Sequence, residues 1–329
     1  MLDLSLALSL KPSMKKAASG PLPADVFSTD IWTGSAAARS IATGIDMTAS
    51  LAWIKARANT SPGVIFDTIR GANFYWSPTS TAGNAALADS LTAFNNGSMS
   101  LGAQANVNAA AVNYVGWSFK KAAKFFDVQG YTGTGVQREI AHNLGVEPGM
   151  IIVKRRDSAG SGVVYHRKSG VNPGGQYTQI NSSAAPTVNT NTFVVAATAT
   201  HFTLGDNVTV NGAGGTYVVY LFAHDPAGII QCDSYIGNGL VAGPVVNLGW
   251  RPQFLYIRRV DGAGNHVLLD SVRGLPTGTG DAQLLANTTD AETSGDFVDF
   301  TDTGFQVKAT TQSYNTAAAV YSYMAIKAE

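Results

Sequence analysis

Short apolar runs rich in β-branched and aromatic residues alternate along this chain with segments rich in Gly and Asn. Residues 201–204, 207–210 and 304–308 alternate polar with apolar side chains, which predicts half-buried strands. Residues 217–222 are apolar throughout, as expected of a central strand covered on both faces. Evidence for helix is thin, and residues 85–94 are the best candidate. The pattern predicts an all-β protein.

An apolar run that ends in a basic residue recurs three times, as Ile54-Lys55, Val153-Lys154 and Ile257-Arg258. Each copy closes on an aromatic and aliphatic run, centred on Trp117, Tyr220 and Tyr323. Equivalent positions are about 99 to 104 residues apart. That period matches a whole small domain. The sequence therefore predicts three tandem β-sandwich domains of about 100 residues, related by internal duplication, at 26–123, 124–228 and 229–329.

Residues 1–25 are predicted to be an N-terminal anchoring arm and linker. Leucine occupies every even position at its start, namely Leu2, Leu4, Leu6, Leu8 and Leu10. In a strand all five would share one face. A signal peptide is disfavoured because the first residues have no positive charge and include Asp3, and because the lysines follow the apolar part. We expect the leucine face to anchor the chain to a partner. Folding back onto its own domain is the alternative.

Composition narrows the possible partners. Only 13% of the residues are charged, and the formal net charge is +0. Because no basic block or tail occurs, nucleic acid is not expected as a partner. Cys232 is the single cysteine, so no intrachain disulfide and no cysteine-based metal site can form, and we expect it to be buried. No apolar run is long enough for membrane insertion.

Few side chains have the spacing of a catalytic, metal-binding or cofactor-binding site. Asp67 and Arg70 recur as Asp270 and Arg273, each pair followed by Gly. We interpret them as a turn in which Arg pairs with the carboxylate and Gly takes a positive φ. The middle copy lacks this pair. No paired acid, nucleophile or nucleotide-binding loop recurs, so no catalytic, metal or cofactor-binding residue is predicted.

The remaining polar candidates receive structural interpretations. The five histidines are expected to be ordinary surface or turn residues: His142, His166, His201, His224 and His266. The basic residues at the ends of the repeated runs are expected to solvate strand ends or to pair across a subunit interface. Binding of phosphate or sulfate on a host glycan is their alternative. Trp32, Tyr75, Trp76 and Tyr314 could stack on sugars or pack in the core.

Residues 143–154, His166 and residues 216–222 together resemble a known repeat. It is similar to the β-rich repeat domains of virion structural proteins from tailed bacteriophages. The first unit departs from the pattern by lacking the Pro and the Leu-Gly, and the middle unit lacks the Asp-x-x-Arg turn. The resemblance covers nearly all of the chain beyond residue 25 and brings no catalytic residues with it.

The resemblance implies a non-enzymatic, multi-copy component of the tail or tail appendage, assembled in the host cytoplasm and located in the virion. Its implied partners are other copies of itself and other virion proteins in the tail, neck or capsid. We expect its three domains to form a rod or wall. A tail fibre that binds a host surface glycan or protein and a head decoration protein are the alternatives. A hydrolytic tailspike would need paired carboxylates in a β-helix.

Overall fold

The structure of the protein, a computed structural model, describes residues 20–169, 176–188, 191–195, 197–274 and 280–329. The five leucines of the arm lie outside the described residues. Three groups of strands follow one another along the chain, and each group forms one domain.

The first domain begins with a short helix and contains eight strands. Its elements are α1 Pro23–Val26, β1 Phe27–Thr33, β2 Arg39–Asp46, β3 Ser50–Ala56, β4 Val64–Asp67, β5 Phe74–Trp76, β6 Ala85–Ala86, β7 Leu91–Leu101, α2 Ala105–Asn108 and β8 Asn113–Lys120.

With nine strands and without an initial helix, the second domain has a similar order of elements. They are β9 Phe126–Thr132, β10 Arg138–Ala141, β11 Pro148–Arg155, β12 Val163–His166, β13 Gln176–Gln179, β14 Thr187–Val188, β15 Phe193–Val195, β16 His201–Leu204, α3 Val208–Asn211 and β17 Thr216–Ala223.

The third domain has nine strands. They are β18 Ile230–Ile236, β19 Val245–Asn247, β20 Pro252–Arg259, β21 Val267–Asp270, β22 Asp281–Leu285, β23 Thr293–Gly295, β24 Val298–Thr301, β25 Gly304–Val307 and β26 Val320–Lys327.

Each domain pairs a six-stranded large sheet with a small sheet. The large sheets have the orders β1-β8-β3-β4-β5-β6, β9-β17-β11-β12-β13-β14 and β18-β26-β20-β21-β22-β23. The small sheets are β2-β7, β10-β16-β15 and β19-β25-β24. Equivalent strands therefore occupy equivalent places in all three domains. The prediction of an all-β protein built from tandem, duplicated β-sandwiches is confirmed.

Two local predictions are wrong. Residues 85–94 do not form a helix, because Asp89 adopts a left-handed backbone (φ 61) that interrupts one. Residues 207–210 were expected to be a strand, but Val208–Asn211 form helix α3. The Asn207 side chain accepts a hydrogen bond from the Thr209 backbone N–H (2.9 Å) and so caps this helix.

The large sheets are covered on both faces. In β3, Ala52 and Ile54 face the small sheet and belong to the core inside the first sandwich. Leu51 and Trp53 point the opposite way, as alternation along a strand requires, and belong to a different core. That second core contains residues from all three domains. The outer face of each large sheet is therefore buried against the other domains.

The domains meet around Phe119 of the first domain. Its ring centroid lies 5.3 Å from that of Phe222 in the second domain and 6.1 Å from that of Phe254 in the third. Phe27 and Phe126 also pack on it, at 5.0 and 5.7 Å.

The second and third domains also meet, since the Gly264 backbone N–H donates to the Ser183 carbonyl (2.9 Å). Each domain touches both others, and the chain closes into a ring of three domains. The expected rod or wall is wrong. The outer face of each large sheet is apolar, and the three faces are buried together in one core, which a linear array of domains does not allow.

The Phe119 cluster should be the main source of stability of the ring. Phe119→Ala is expected to lower the free energy of unfolding by about 3–5 kcal/mol, as for other buried phenylalanines. Phe74→Ala is the matched control, because Phe74 is 42% exposed whereas Phe119 is 1% exposed; it should cost about 0.5 kcal/mol. Urea unfolding measures both. Equal losses would contradict the central role of this cluster.

Candidate functional site at the domain junctions

The turns that follow β4, β12 and β21, which are equivalent strands of the three large sheets, lie at the contacts between domains. In the first domain the Arg70 backbone N–H donates to Asp67 Oδ1 (2.8 Å), and the Arg70 guanidinium pairs with Asp67 Oδ2. Gly71 follows with φ 85. In the third domain Arg273 Nε donates to Asp270 Oδ2 (2.6 Å). The predicted Asp–Arg turn is confirmed in both copies.

The junction between the first and second domains (the 1–2 junction) is centred on Tyr220. Its hydroxyl donates to Asp67 Oδ2 (2.7 Å) and accepts from Arg70 Nη1 (2.6 Å) and Trp76 Nε1 (2.9 Å). The Trp76 and Tyr220 rings are stacked at 6.3 Å. Burial raises the pKa of Tyr220 well above its ordinary value, so it stays a neutral donor.

The junction between the third and first domains (the 3–1 junction) repeats this arrangement. Trp117 Nε1 donates to Asp270 Oδ2 (2.9 Å), and the Arg273 guanidinium lies 5.2 Å from the Trp117 ring centroid. Glu292 accepts from Arg273 Nη1 (2.9 Å) and from Arg57 Nε and Nη2 (2.9 and 2.7 Å). Glu292, for which the sequence predicts no role, therefore joins two domains.

The junction between the second and third domains (the 2–3 junction) differs, because it contains histidine in place of the Asp–Arg pair. His166 ends β12 as Asp67 ends β4, and its Nε2 bonds the Tyr323 carbonyl (3.0 Å). By strand register, Met324 is the equivalent of Trp117 and Tyr220. The sequence alignment on Tyr323 is therefore off by one residue. A thioether cannot replace the indole or phenol donor. The bond at this junction therefore runs the other way, from His166 Nε2–H to the Tyr323 backbone carbonyl.

His266 is a second histidine at the 2–3 junction. Its Nε2 bonds the Gln179 and Ser182 carbonyls of the second domain (3.1 and 3.2 Å), and its Nδ1 bonds Tyr256 Oη (2.6 Å). Burial lowers its pKa well below the ordinary value. The expectation of ordinary surface or turn histidines is wrong for His266 and His166, which are fully buried between domains.

A buried cation lies at each junction, at the recurring basic position. Lys55 Nζ donates to the Thr288 carbonyl (2.8 Å) and Lys154 Nζ to the Thr81 carbonyl (2.9 Å). Arg258 Nη2 donates to the Ala184 carbonyl.

The three acceptor carbonyls belong in each case to the preceding domain, taken cyclically. The same contacts thus recur in the order of a threefold pseudo-symmetry. The expectation that Lys55, Lys154 and Arg258 solvate strand ends is wrong, because backbone carbonyls replace water around them. Burial lowers the pKa of Lys55 and Lys154 to about 8.

Other candidates from the sequence are also structural. Trp32, Trp76 and Tyr314 are buried, so they pack in the core, while Tyr75 is half-buried. Cys232 is buried as predicted, and burial raises the pKa of its thiol.

Two carboxyls outside the junctions have a raised pKa. Burial raises the pKa of Asp30 and of Asp281 to about 6, but they lie in different domains, on β1 and β22. Within the described ranges, no three His, Cys, Asp or Glu side chains are grouped to hold a metal ion. No helix in that part of the chain has the length and apolar character to span a membrane. The junctions bind domain to domain, and their acids are occupied by arginine.

Breaking the pair at the 1–2 junction should be costly. Asp67→Asn leaves the Arg70 guanidinium buried without its counter-charge, which is expected to cost about 3–5 kcal/mol of unfolding free energy. Asp157→Asn breaks the more exposed Arg155–Asp157 pair and should cost about 0–1 kcal/mol. Chemical denaturation of both variants tests this. If the two variants lose the same stability, the buried pair does not hold the junction.

The buried lysines should make stability depend on pH. In the folded state Lys154 loses its proton near its pKa of about 8, whereas in the unfolded chain it keeps it to its ordinary pKa of 10.5. The unfolded chain binds more protons between these values, so unfolding free energy should rise with pH there. Lys154→Met should reduce this rise in urea titrations from about pH 8 to 10.5. Lys120→Met, at a half-exposed end of β8, is the control; an unchanged slope in Lys154→Met would contradict the assignment.

The chain was compared with curated proteins and with models of protein families. No curated protein matches the chain. Residues 22–329, which include all three domains and their junctions, match the family described as "Domain of unknown function (DUF7483)". The chain belongs to the DUF7483 family.

Proposed function

We propose that this chain is a non-enzymatic structural protein of a tailed-bacteriophage virion. It would be a multi-copy component of the tail or tail appendage, anchored through residues 1–25. The proposal rests on the resemblance of residues 143–154 to phage virion repeats. These residues lead into and through β11, whose Lys154 caps a carbonyl of the neighbouring domain. The segment that resembles phage repeats therefore contributes to the contact between domains, as expected of a structural protein.

The observation that carries the proposal is the closed ring of three equivalent domains. A single chain presents the same fold three times in cyclic order, so it can match a threefold partner without further copies. Phage tails and their appendages are built around threefold and sixfold axes, which is the setting that such a ring fits. Copies would then stack along the axis or sit around it.

The surface favours contact with other proteins. One loop of the third domain, between β18 and β19, has exposed aliphatic side chains at Ile236, Leu240, Val241 and Val245. At the equivalent places the second domain has Thr132, Val136, Gln137 and Glu139. Exposed apolar residues that are concentrated in one region are typical of protein–protein contact. The third domain would thereby have a partner that the second domain lacks, which the proposal identifies as another virion protein.

Electron cryo-microscopy of particles with and without this protein tests the proposal. We expect difference density on the tail or its appendages, either centred on the axis with one copy per layer or around the axis in multiples of three or six. Density spread over the capsid would replace the tail assignment with head decoration. Absence of the protein from purified particles, judged by mass spectrometry, would overturn the virion proposal.

Deletion of residues 2–10 tests the anchoring role of the arm. The truncated chain should keep its thermal unfolding midpoint, because the domain junctions lie elsewhere, but should fail to join particles. Replacement of the same residues by a Gly/Ser segment of equal length is the control for length and should fail equally. Normal incorporation of either variant would contradict an anchoring arm.

A further inference from the structure

The histidines of this chain are concentrated at one junction. His166, His224 and His266 lie at the 2–3 junction, whereas His142 and His201 form their hydrogen bonds within the second domain. The 1–2 and 3–1 junctions are closed by Asp–Arg pairs and have no histidine. One junction of three therefore depends on groups that titrate in mild acid.

His166 is held in its neutral form by its two hydrogen bonds. Nε2 faces the Tyr323 carbonyl of the third domain (3.0 Å), so Nε2 must donate. Nδ1 faces the Lys168 backbone N–H (3.1 Å), so Nδ1 must accept. A second proton on Nδ1 would point at an N–H group. Protonation therefore forces the His166 imidazole out of the position in which it donates to the third domain.

The other two histidines use the same atom as an acceptor. His224 Nδ1 accepts from the Cys232 backbone N–H of β18 (3.3 Å). His266 Nδ1 lies 2.6 Å from Tyr256 Oη while its Nε2 donates to the Gln179 carbonyl across the junction. Each histidine thus links the second domain to the third as a neutral imidazole.

The groups around these histidines offer no free negative charge. Next to His166 and His224, Asp233 and Glu147 already contact Arg167, and Asp233 also contacts Lys168.

His266 faces Tyr256 and the buried Arg258 guanidinium. Arg258 forms no ion pair within the described ranges, and its Nε and Nη1 have no hydrogen-bond partner there. Added protons would therefore place positive charge beside an uncompensated cation, with little water to screen it.

We propose that the 2–3 junction is an acid-sensitive joint. Protonation of His166, His224 and His266 separates the second and third domains and opens the ring, while the 1–2 and 3–1 junctions stay closed.

The direction of the proton linkage agrees with this geometry. Burial lowers the pKa of His166 to about 4 and lowers the pKa of His266 well below 6.5; it also lowers the pKa of His224. The opened state therefore binds more protons than the closed one between about pH 6.5 and 4. Stability of the junction is complete above pH 6.5 and decreases as the pH falls through this range.

Cys232 is a natural reporter of the 2–3 junction. It is fully buried on β18, and Gly149 of β11 packs so tightly on it that a Cβ there would lie 2.3 Å from the Cys232 Cβ. Its reaction with 4,4′-dithiodipyridine, a reagent that still reacts with thiols in acid, measures opening of the joint. We expect the rate to be at least about tenfold higher at pH 4.5 than at pH 7.5, after correction with a free thiol.

The other junctions provide a matched reporter. Val128 of β9 occupies the place of Cys232, since the two residues pair with Tyr220 and Met324 at equivalent positions of the register. A Val128→Cys/Cys232→Ala chain therefore reports on the 1–2 junction. Its thiol should stay protected at pH 4.5. Equal acid exposure of both reporters would mean general acid unfolding and would overturn the proposal.

Histidine variants identify the groups responsible. His166→Asn/His224→Asn/His266→Gln keeps polar side chains but cannot titrate, so Cys232 should stay protected at pH 4.5. His142→Asn is the control, because His142 is buried inside the second domain, where its Nε2 bonds the Thr198 carbonyl (3.1 Å). It should keep the acid response.

Circular dichroism at pH 7.5 establishes that each variant folds. If the triple variant does not fold, the comparison of the two wild-type-histidine reporters still decides. An acid response that persists in a folded triple variant would overturn the proposal.

Discussion

Burial of both faces of three large sheets is the constraint on which this structure depends. A single sandwich covers one face with its small sheet and leaves Trp53 and Trp117 on the other. Each such aromatic side chain gains roughly 1.5–3 kcal/mol when it is taken out of water. The duplicated unit of about 100 residues therefore completes the hydrogen bonds between its strands alone, but it does not cover its outer apolar face. The three outer faces satisfy one another, so the unit of duplication is the domain while the unit of folding is the ring.

The polar residues of the junctions follow from that burial. The central strands β3, β11 and β20 end against a neighbouring domain instead of in water. The basic residue of each repeat lies at that end. Lys55 and Lys154 meet backbone carbonyls of loops in the preceding domain. A buried ammonium group without such acceptors would be costly, and the Thr81 carbonyl also accepts from the Gly160 backbone N–H (2.8 Å) of the second domain. The cations thus fix which loop faces which strand and with it the cyclic order of the domains.

The sequence predicts the domain and not the ring. Repeats, alternation and the Asp67–Arg70 turn are local signals, and the structure confirms them except at residues 207–210, where alternating residues begin helix α3. The ring is a long-range result, yet the sequence contains a sign of it. Residues 217–222 are apolar on both faces although an antiparallel sandwich strand needs only one apolar face. A basic residue at the same place in all three repeats is a second sign. Local pattern cannot reveal that His166 replaces Asp67 at a junction, because that equivalence requires knowing which residues face the next domain.

A ring formed by one chain can do what a ring of three identical chains cannot. In a homotrimer every interface has the same residues, so any change is made three times. Here the three junctions share one plan but differ in detail, with Tyr220 and Trp117 donating to aspartate at two of them and Met324 opposite a histidine at the third. Divergence at one junction keeps the stability of the other two, because each has its own acid and arginine. The lasting consequence of duplication in this protein is therefore asymmetry: a threefold frame in which a single junction and a single exposed loop are free to acquire their own chemistry.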